Sequence, residues 1–143
     1  MKKSGILNAQ LLCELTRLRH TDKLVICDAG FPIPAGANVV DVSLVAGLPD
    51  FPQVLRAVVN ELIFEDYMVF DVMKEKNPAC YQLVTELFQA QSHTEVPMAQ
   101  FLAAARDAKL FIRTGELRPA SNLLLTSASG TQRAAELYNV TMD

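Results

Sequence analysis

The chain has 143 residues, half of them hydrophobic and a fifth charged, with a formal net charge of −3. That length fits one domain with a substantial core, and the acidic balance with scattered lysines and arginines excludes the electrostatic footprint of a nucleic-acid binder. Cys13, Cys27 and Cys80 are odd in number, far apart and without a Cys-x-x-Cys pair, a pattern of reduced thiols rather than of a disulfide frame or zinc site.

Lys2 and Lys3 resemble the start of an export signal. Asn8, Gln10, Glu14 and Arg17 break the apolar stretch behind them, so neither export nor a membrane span is expected and the chain reads as cytoplasmic. Asn8 predicts the cap of a helix running to about Arg19, because Leu11, Leu12, Leu15 and Leu18 form one apolar stripe at helical spacing. His20 falls at the end of that helix, where the dipole favours a protonated imidazole. Lys23 to Cys27 reads as a short buried strand, and Pro32 and Pro34 force the backbone out of regular structure just beyond Asp28-Ala-Gly.

Val39 to Leu44 predicts a second strand with Asp41 and Ser43 on its opposite face, and Ala46-Gly-Leu-Pro49 a turn. Asp50 can cap a helix through about Leu62. Glu65 to Met73 alternates like a strand, and Asn77-Pro78 opens a helix carrying Tyr81, Leu83, Val84, Leu87 and Phe88. The polar run Gln89 to Glu95 reads as a loop with His93 at the surface, and Pro97 starts a helix to about Asp107. Lys109 to Arg113, the turn Thr114-Gly-Glu116 and Asn122 to Thr126 read as strand, turn and strand, and a last helix is expected from Gly130. Strands alternating with helices predict a single α/β layered domain over 1–143, with 130–143 as a C-terminal extension. So apolar a chain is expected to bury part of its surface between subunits.

His20 and Asp28 are the first candidate pair. They flank one strand, and a carboxylate beside an imidazole orients the ring and stabilises its protonated form, although the same residues also suit an ion pair at a turn. Asn122 is the second candidate: its amide can read sugar hydroxyls or bond its own backbone at a turn. Arg113 and Glu116 are expected to pair across theirs. No Gly-x-Gly-x-x-Gly, Gly-x-x-x-x-Gly-Lys-Ser/Thr or Gly-x-Ser-x-Gly occurs, and the two histidines lack acidic ligand spacing, so dinucleotide, nucleotide, simple hydrolase and metal chemistries are unsupported.

Four stretches in order and spacing, Met-Lys-Lys-Ser-Gly-Ile-Leu-Asn, Leu-x-His-Thr-Asp, Asp-Ala-Gly-Phe-Pro-Ile-Pro and Ile-Arg-Thr-Gly-Glu-x-x-Pro-x-x-Asn, resemble the D-ribose pyranase and L-fucose mutarotase family, closest to its pyranase branch. The resemblance runs to about Thr126. It implies a mixed sheet flanked by helices, a cytoplasmic isomerase without cofactor or metal that opens and recloses a monosaccharide ring, and a ring-like homo-oligomer, such as a decamer or octamer, with sites at subunit contacts. His20 matches the family's general acid, and Asp28 and Asn122 match sugar-binding positions, with Ser121 beside them. Two further substrate-binding positions depart from the pattern: the family's second histidine falls at Met98 and its tyrosine at Ala120, neither of which can carry a proton or bond a hydroxyl through its side chain. Arg19 stands where the family has glycine, a cation beside His20 that disfavours imidazolium and suits an anionic ligand group. These departures leave an alternative, a non-catalytic sugar-binding accessory protein of a sugar uptake system.

Overall fold

The computed structural model describes residues 1–130; the helix expected from Gly130 and nearly all of the 130–143 extension lie outside the described residues. In chain order the elements are α1 (Ala9–Thr16), β1 (Lys23–Cys27), β2 (Val39–Asp41), α2 (Phe51–Val59), β3 (Phe64–Phe70), α3 (Met73–Lys76), α4 (Pro78–Leu87), β4 (Ser92–Val96), α5 (Met98–Ala105), β5 (Leu110–Arg113) and β6 (Leu123–Ser127). The strands form one sheet in the order β2-β5-β1-β6-β3-β4, with β6 antiparallel to both its neighbours and the other pairings parallel. Five strands therefore end at one edge of the sheet, the carboxyl edge, and β6 begins there.

Period-two alternation divides the core. Leu24 and Ile26 of β1 join Leu110, Ile112, Leu123 and Leu125 under α1, α2 and α4, whereas Val25 and Cys27 face Phe111, Leu124 and the α5 residues Phe101 and Ala105 on the other side. Phe31, from the proline loop, closes the second layer edge-on against Phe101, with ring centroids 5.9 Å apart. The central strands are buried on both faces, which is why they read as apolar runs.

The caps form as their residues predict. The Asn8 side chain accepts from Leu11 N, Asp50 and Gln53 make a reciprocal capping box on α2, and Asn77 accepts from Cys80 N at the head of α4. Several boundaries differ from the sequence pattern. The first helix stops at Thr16, since Arg17 N and Leu18 N turn back to Glu14 O and Leu15 O and Asp22 clamps Arg19 N at 2.6 Å. His20 thus sits beyond the last turn, outside the short reach of the dipole. β2 ends at Asp41, whose carboxylate accepts from Ser43 N, and Met73 opens α3 instead of closing β3.

The largest correction is Gln89 to Glu95. Ser92–Val96 is a strand, paired in parallel with β3 from Asp66↔Ser92 to Phe70↔Val96. As the edge of the sheet it exposes its first four residues, so it lacks the apolar face that marks a strand in sequence. His93 lies on it, stacked on Tyr67 at 5.0 Å between centroids.

Candidate active site

Asp28 follows β1 directly and Asn122 directly precedes β6, so an antiparallel pair of strands brings them together at the carboxyl edge. Two hydrogen bonds interlock them: Asp28 N donates to Asn122 Oδ1 at 2.9 Å, and Asn122 Nδ2 donates to Asp28 Oδ2 at 2.8 Å. Asn122 is 3% exposed, and Asp28 is partly open to solvent. Burial pushes the Asp28 carboxyl up from the ordinary carboxylate range, opposed by the bonds from Asn122, Gly30 N and Phe31 N. One amide N–H and one lone pair of Asn122 remain beyond these two bonds, which suits a group that must also meet a ligand. The outer side of strand carboxyl ends is where open α/β sheets make ligand crevices.

The other positions at this edge divide by chemistry. Ser121 is buried and committed to the loop: its hydroxyl accepts from Asn77 Nδ2 at 2.9 Å and gives its only proton to Arg118 O at 3.1 Å. Asn77 Nδ2 also donates to Pro119 O at 3.1 Å. These bonds shape the segment that places Ala120 at φ 56, a left-handed conformation unusual for a residue with a Cβ, and its methyl packs toward both core layers. Met98 opens α5 and is 57% exposed, so an uncovered thioether rather than a polar group stands there.

Asn77 is a residue that sequence reasoning placed only as a helix start. Its second role depends on a contact 42 and 44 residues away, which no local pattern reveals.

The Arg113–Glu116 pairing expected across the turn does not form. Arg113 Nη1 binds Asp41 Oδ2 at 2.8 Å and its Nε donates to Ala29 O, holding the loop after Asp28. Glu116 turns inward to Arg118, with Nη2 2.6 Å from Oε2, and its backbone oxygen accepts from Ala29 N. Gly115 allows this turn: a Cβ there would lie 2.6 Å from Leu48 O and 2.7 Å from Val45 O.

His20 is at the other edge. The strand β1 separates it from Asp28, and at about 3.3 Å per residue the run from Lys23 to Asp28 spans roughly 16 Å. The imidazole–carboxylate pair expected from these two residues is therefore not made within one chain. The carboxylate that His20 meets is Glu65 of β3, with Nε2 3.0 Å from Oε2. A cleft of about 530 Å³ lies on the Glu65 side of this pair, lined by Glu65, Leu62, Phe64, Phe88 and Gln91 but not by His20. Arg19 turns back onto its own helix, with Nη1 donating to Thr16 O and Leu18 O. Among the described residues, no group of three or more His, Cys, Asp or Glu gathers to hold a metal, and no helix is long and apolar enough to cross a membrane.

The mixed six-stranded sheet, with an interlocked carboxylate and amide at its carboxyl edge and a paired imidazole at the opposite one, defines a class of single-domain α/β protein with candidate polar residues at both ends of its central strands. The chain belongs to the RbsD / FucU transport protein family, whose model matches residues 1–129. It is 42% identical over 125 residues to D-ribose pyranase 1 of Rubrobacter xylanophilus, covering 87% of this chain and 95% of that protein. It is 44% identical over 127 residues to the D-ribose pyranase of Geobacillus kaustophilus, covering 89% and 93%. Among solved structures, Bacillus subtilis RbsD complexed with D-ribose superposes with a TM-score of 0.85 at 38% identity, over 90% of this chain and 98% of that one. The fucose mutarotase of Streptococcus pneumoniae in complex with L-fucose shares the fold, with a TM-score of 0.72 at 17% identity over 85% and 93%.

Proposed function

We propose that this protein is a pyranase-type isomerase that interconverts the cyclic forms of a free D-ribose-like monosaccharide, acting in the cytoplasm as a homo-oligomer. The observation that carries the reading is the interlocked Asp28–Asn122 pair at the carboxyl edge of a chain 42% identical to a D-ribose pyranase. A carboxylate and an amide are the groups that bond paired hydroxyls. Met98 and Ala120, at the same edge of the sheet, carry no polar side-chain group, so fixing the ring falls to Asp28 and Asn122.

The reaction consists of proton transfers. Imidazolium at His20 gives its proton to the ring oxygen as the C1–O bond breaks, with the bonding pair passing to that oxygen. The protonated aldehyde left at C1 then returns a proton to the neutral imidazole. Rotation about the C1–C2 bond and the reverse steps close the ring as the other anomer, and attack of a different hydroxyl on C1 closes it in the other ring size, so no redox or group-transfer cofactor is required.

In this reading the site is shared between chains: His20 of one protomer meets a sugar held by Asp28 and Asn122 of its neighbour. Two features support this. The two ends of β1 are too far apart for one small sugar to bridge, and apart from Met1 and Leu7 near the N-terminus the exposed large apolar residues among those described, Leu44, Val45, Leu48, Val72, Met98 and Leu117, follow the carboxyl ends of strands, where a second copy would cover them. NMR saturation transfer on D-ribose, L-fucose and other aldoses tests the activity. Faster exchange of at least one sugar with the protein, and its loss in His20→Ala, is expected; a sugar that binds while none exchanges faster would establish a binding protein instead.

A further inference from the structure

The carboxylate beside His20 comes from an irregularity in the sheet. Between Phe64↔Ser127 and Asp66↔Thr126 the register of β3 against β6 advances two residues on one strand and one on the other, so Glu65 is the extra residue of a β-bulge. Packing carries the same phase shift: Phe64 faces the same core layer as Tyr67 and Val69, although three positions separate it from Tyr67. The bulge frees Glu65 from the alternation and aims it along the edge toward His20.

A second backbone exception lies on the histidine side. Thr21 adopts φ 70, the left-handed region that a β-branched residue rarely enters, and its N–H donates to Ser127 O at 3.0 Å. Ser127 is the residue that the bulge faces, and its own N–H donates to Asp22 O at 2.9 Å. Asp22 in turn bonds Arg19 N at 2.6 Å and Lys109 Nζ at 2.7 Å, so both sides of His20 are tied down. An ordinary surface pair of a histidine 54% exposed and a glutamate 39% exposed would be loose and of little energetic weight. Here two unfavourable backbone features converge on one strand end and hold the two side chains together.

We propose that Glu65 is the positioning residue for the proton-carrying imidazole. Its carboxylate accepts Nε2–H of His20 and leaves Nδ1 as the nitrogen that gives and takes the proton of the sugar. The assignment rests on His20 acting as acid and base in the reaction proposed above. Glu65 touches no reacting atom; it fixes the ring's orientation and tautomer, as carboxylates do for imidazoles in other proton-transfer sites.

Glu65→Ala and the bulkier Glu65→Met remove the acceptor, and Glu65→Gln keeps a carbonyl that can take the same bond. D-ribose exchange by saturation transfer and long-range ¹H–¹⁵N spectra of the imidazoles, recorded in a His93→Asn background so that only His20 contributes, provide the readouts. The Ala and Met variants are expected to lose about tenfold or more in kcat with KM within about twofold, and the neutral ring is expected to lose its Nε2–H preference. Gln should restore the tautomer and part of the rate. Unchanged kcat, or a kcat loss without a change in the ring nitrogens, overturns the assignment. If His20→Ala exchanges sugar as the parent does, the reaction itself is misread; if His20→Ala is inactive while Glu65→Ala and Glu65→Met are fully active, only the role of Glu65 falls.

Discussion

Glu116→Gln is the change whose size the structure specifies most fully. The side chain is 3% exposed, and its carboxylate accepts from Leu117 N, Arg118 N, Arg118 Nε and Nη2, and Phe51 N. It thereby ties the loop before Asn122 to the first turn of α2, while its backbone oxygen holds Ala29 beside Asp28. The Arg118 guanidinium, chiefly through its hydrogen bond, pulls the Glu116 carboxyl from 4.5 down to about 2. At ~1.36 kcal/mol per pH unit that shift corresponds to about 3 kcal/mol. Arg118 is half exposed, so solvent screening reduces the usable part to roughly 2 kcal/mol. Because the folded-state pKa lies below the unfolded one, this stabilisation is complete above pH 4.5 and is lost as pH falls toward about 2. Urea unfolding of the parent and Glu116→Gln at fixed protein concentration across that range measures it. The stability gap between the two proteins should be wide and flat near neutrality and shrink by roughly 2 kcal/mol in acid, leaving only the pH-independent effect of the amide. A gap of constant width from neutral to strongly acidic pH would refute the reasoning.

Asn77→Ala should lower stability by about 2 kcal/mol, because it removes the cap of α4 and the partner of the buried Ser121 hydroxyl. Sugar exchange measured at several concentrations should show the loosened 119–122 segment as a raised KM. Asn122→Ala leaves Asp28 N and one carboxylate oxygen without their partners; urea titration should give a loss of about 2 kcal/mol, and exchange at limiting sugar should fall far more than exchange at saturation.

The parts of the fold that could be read in the sequence are those in which one local signal suffices. β1 and β6 are continuous apolar runs because they are buried on both faces, and Asn8, Asp50 and Asn77 announce helices because a short polar side chain there satisfies backbone donors. β4 was hidden because an edge strand exposed to solvent has no reason to alternate. Asp28 and Asn122 were recognisable as polar residues at the ends of apolar strands, but their mutual bonds depend on the antiparallel pairing of β1 with β6. His20 and Asp28 misled for the opposite reason: neighbours across one strand in sequence are separated by its full length in space. Glu65 gave no signal, since a bulge shows itself only as a slip between two strands whose partners lie 54 to 63 residues apart, and Arg113 found Asp41 instead of Glu116 because β2 and β5 pair in register.

Mixing two variants, each defective at limiting sugar, probes the shared site most directly. His20→Ala and Asn122→Ala subunits, each purified, are dissociated, combined in equal amounts, reassembled, and assayed for D-ribose exchange at limiting sugar. If His20 of one chain works on a sugar held by its neighbour, random assembly rebuilds intact sites and exchange returns to about a quarter of the parent's. Exchange no greater than that of the two variants alone, in mixtures shown by mass spectrometry to contain both chains, would contradict a site completed between subunits.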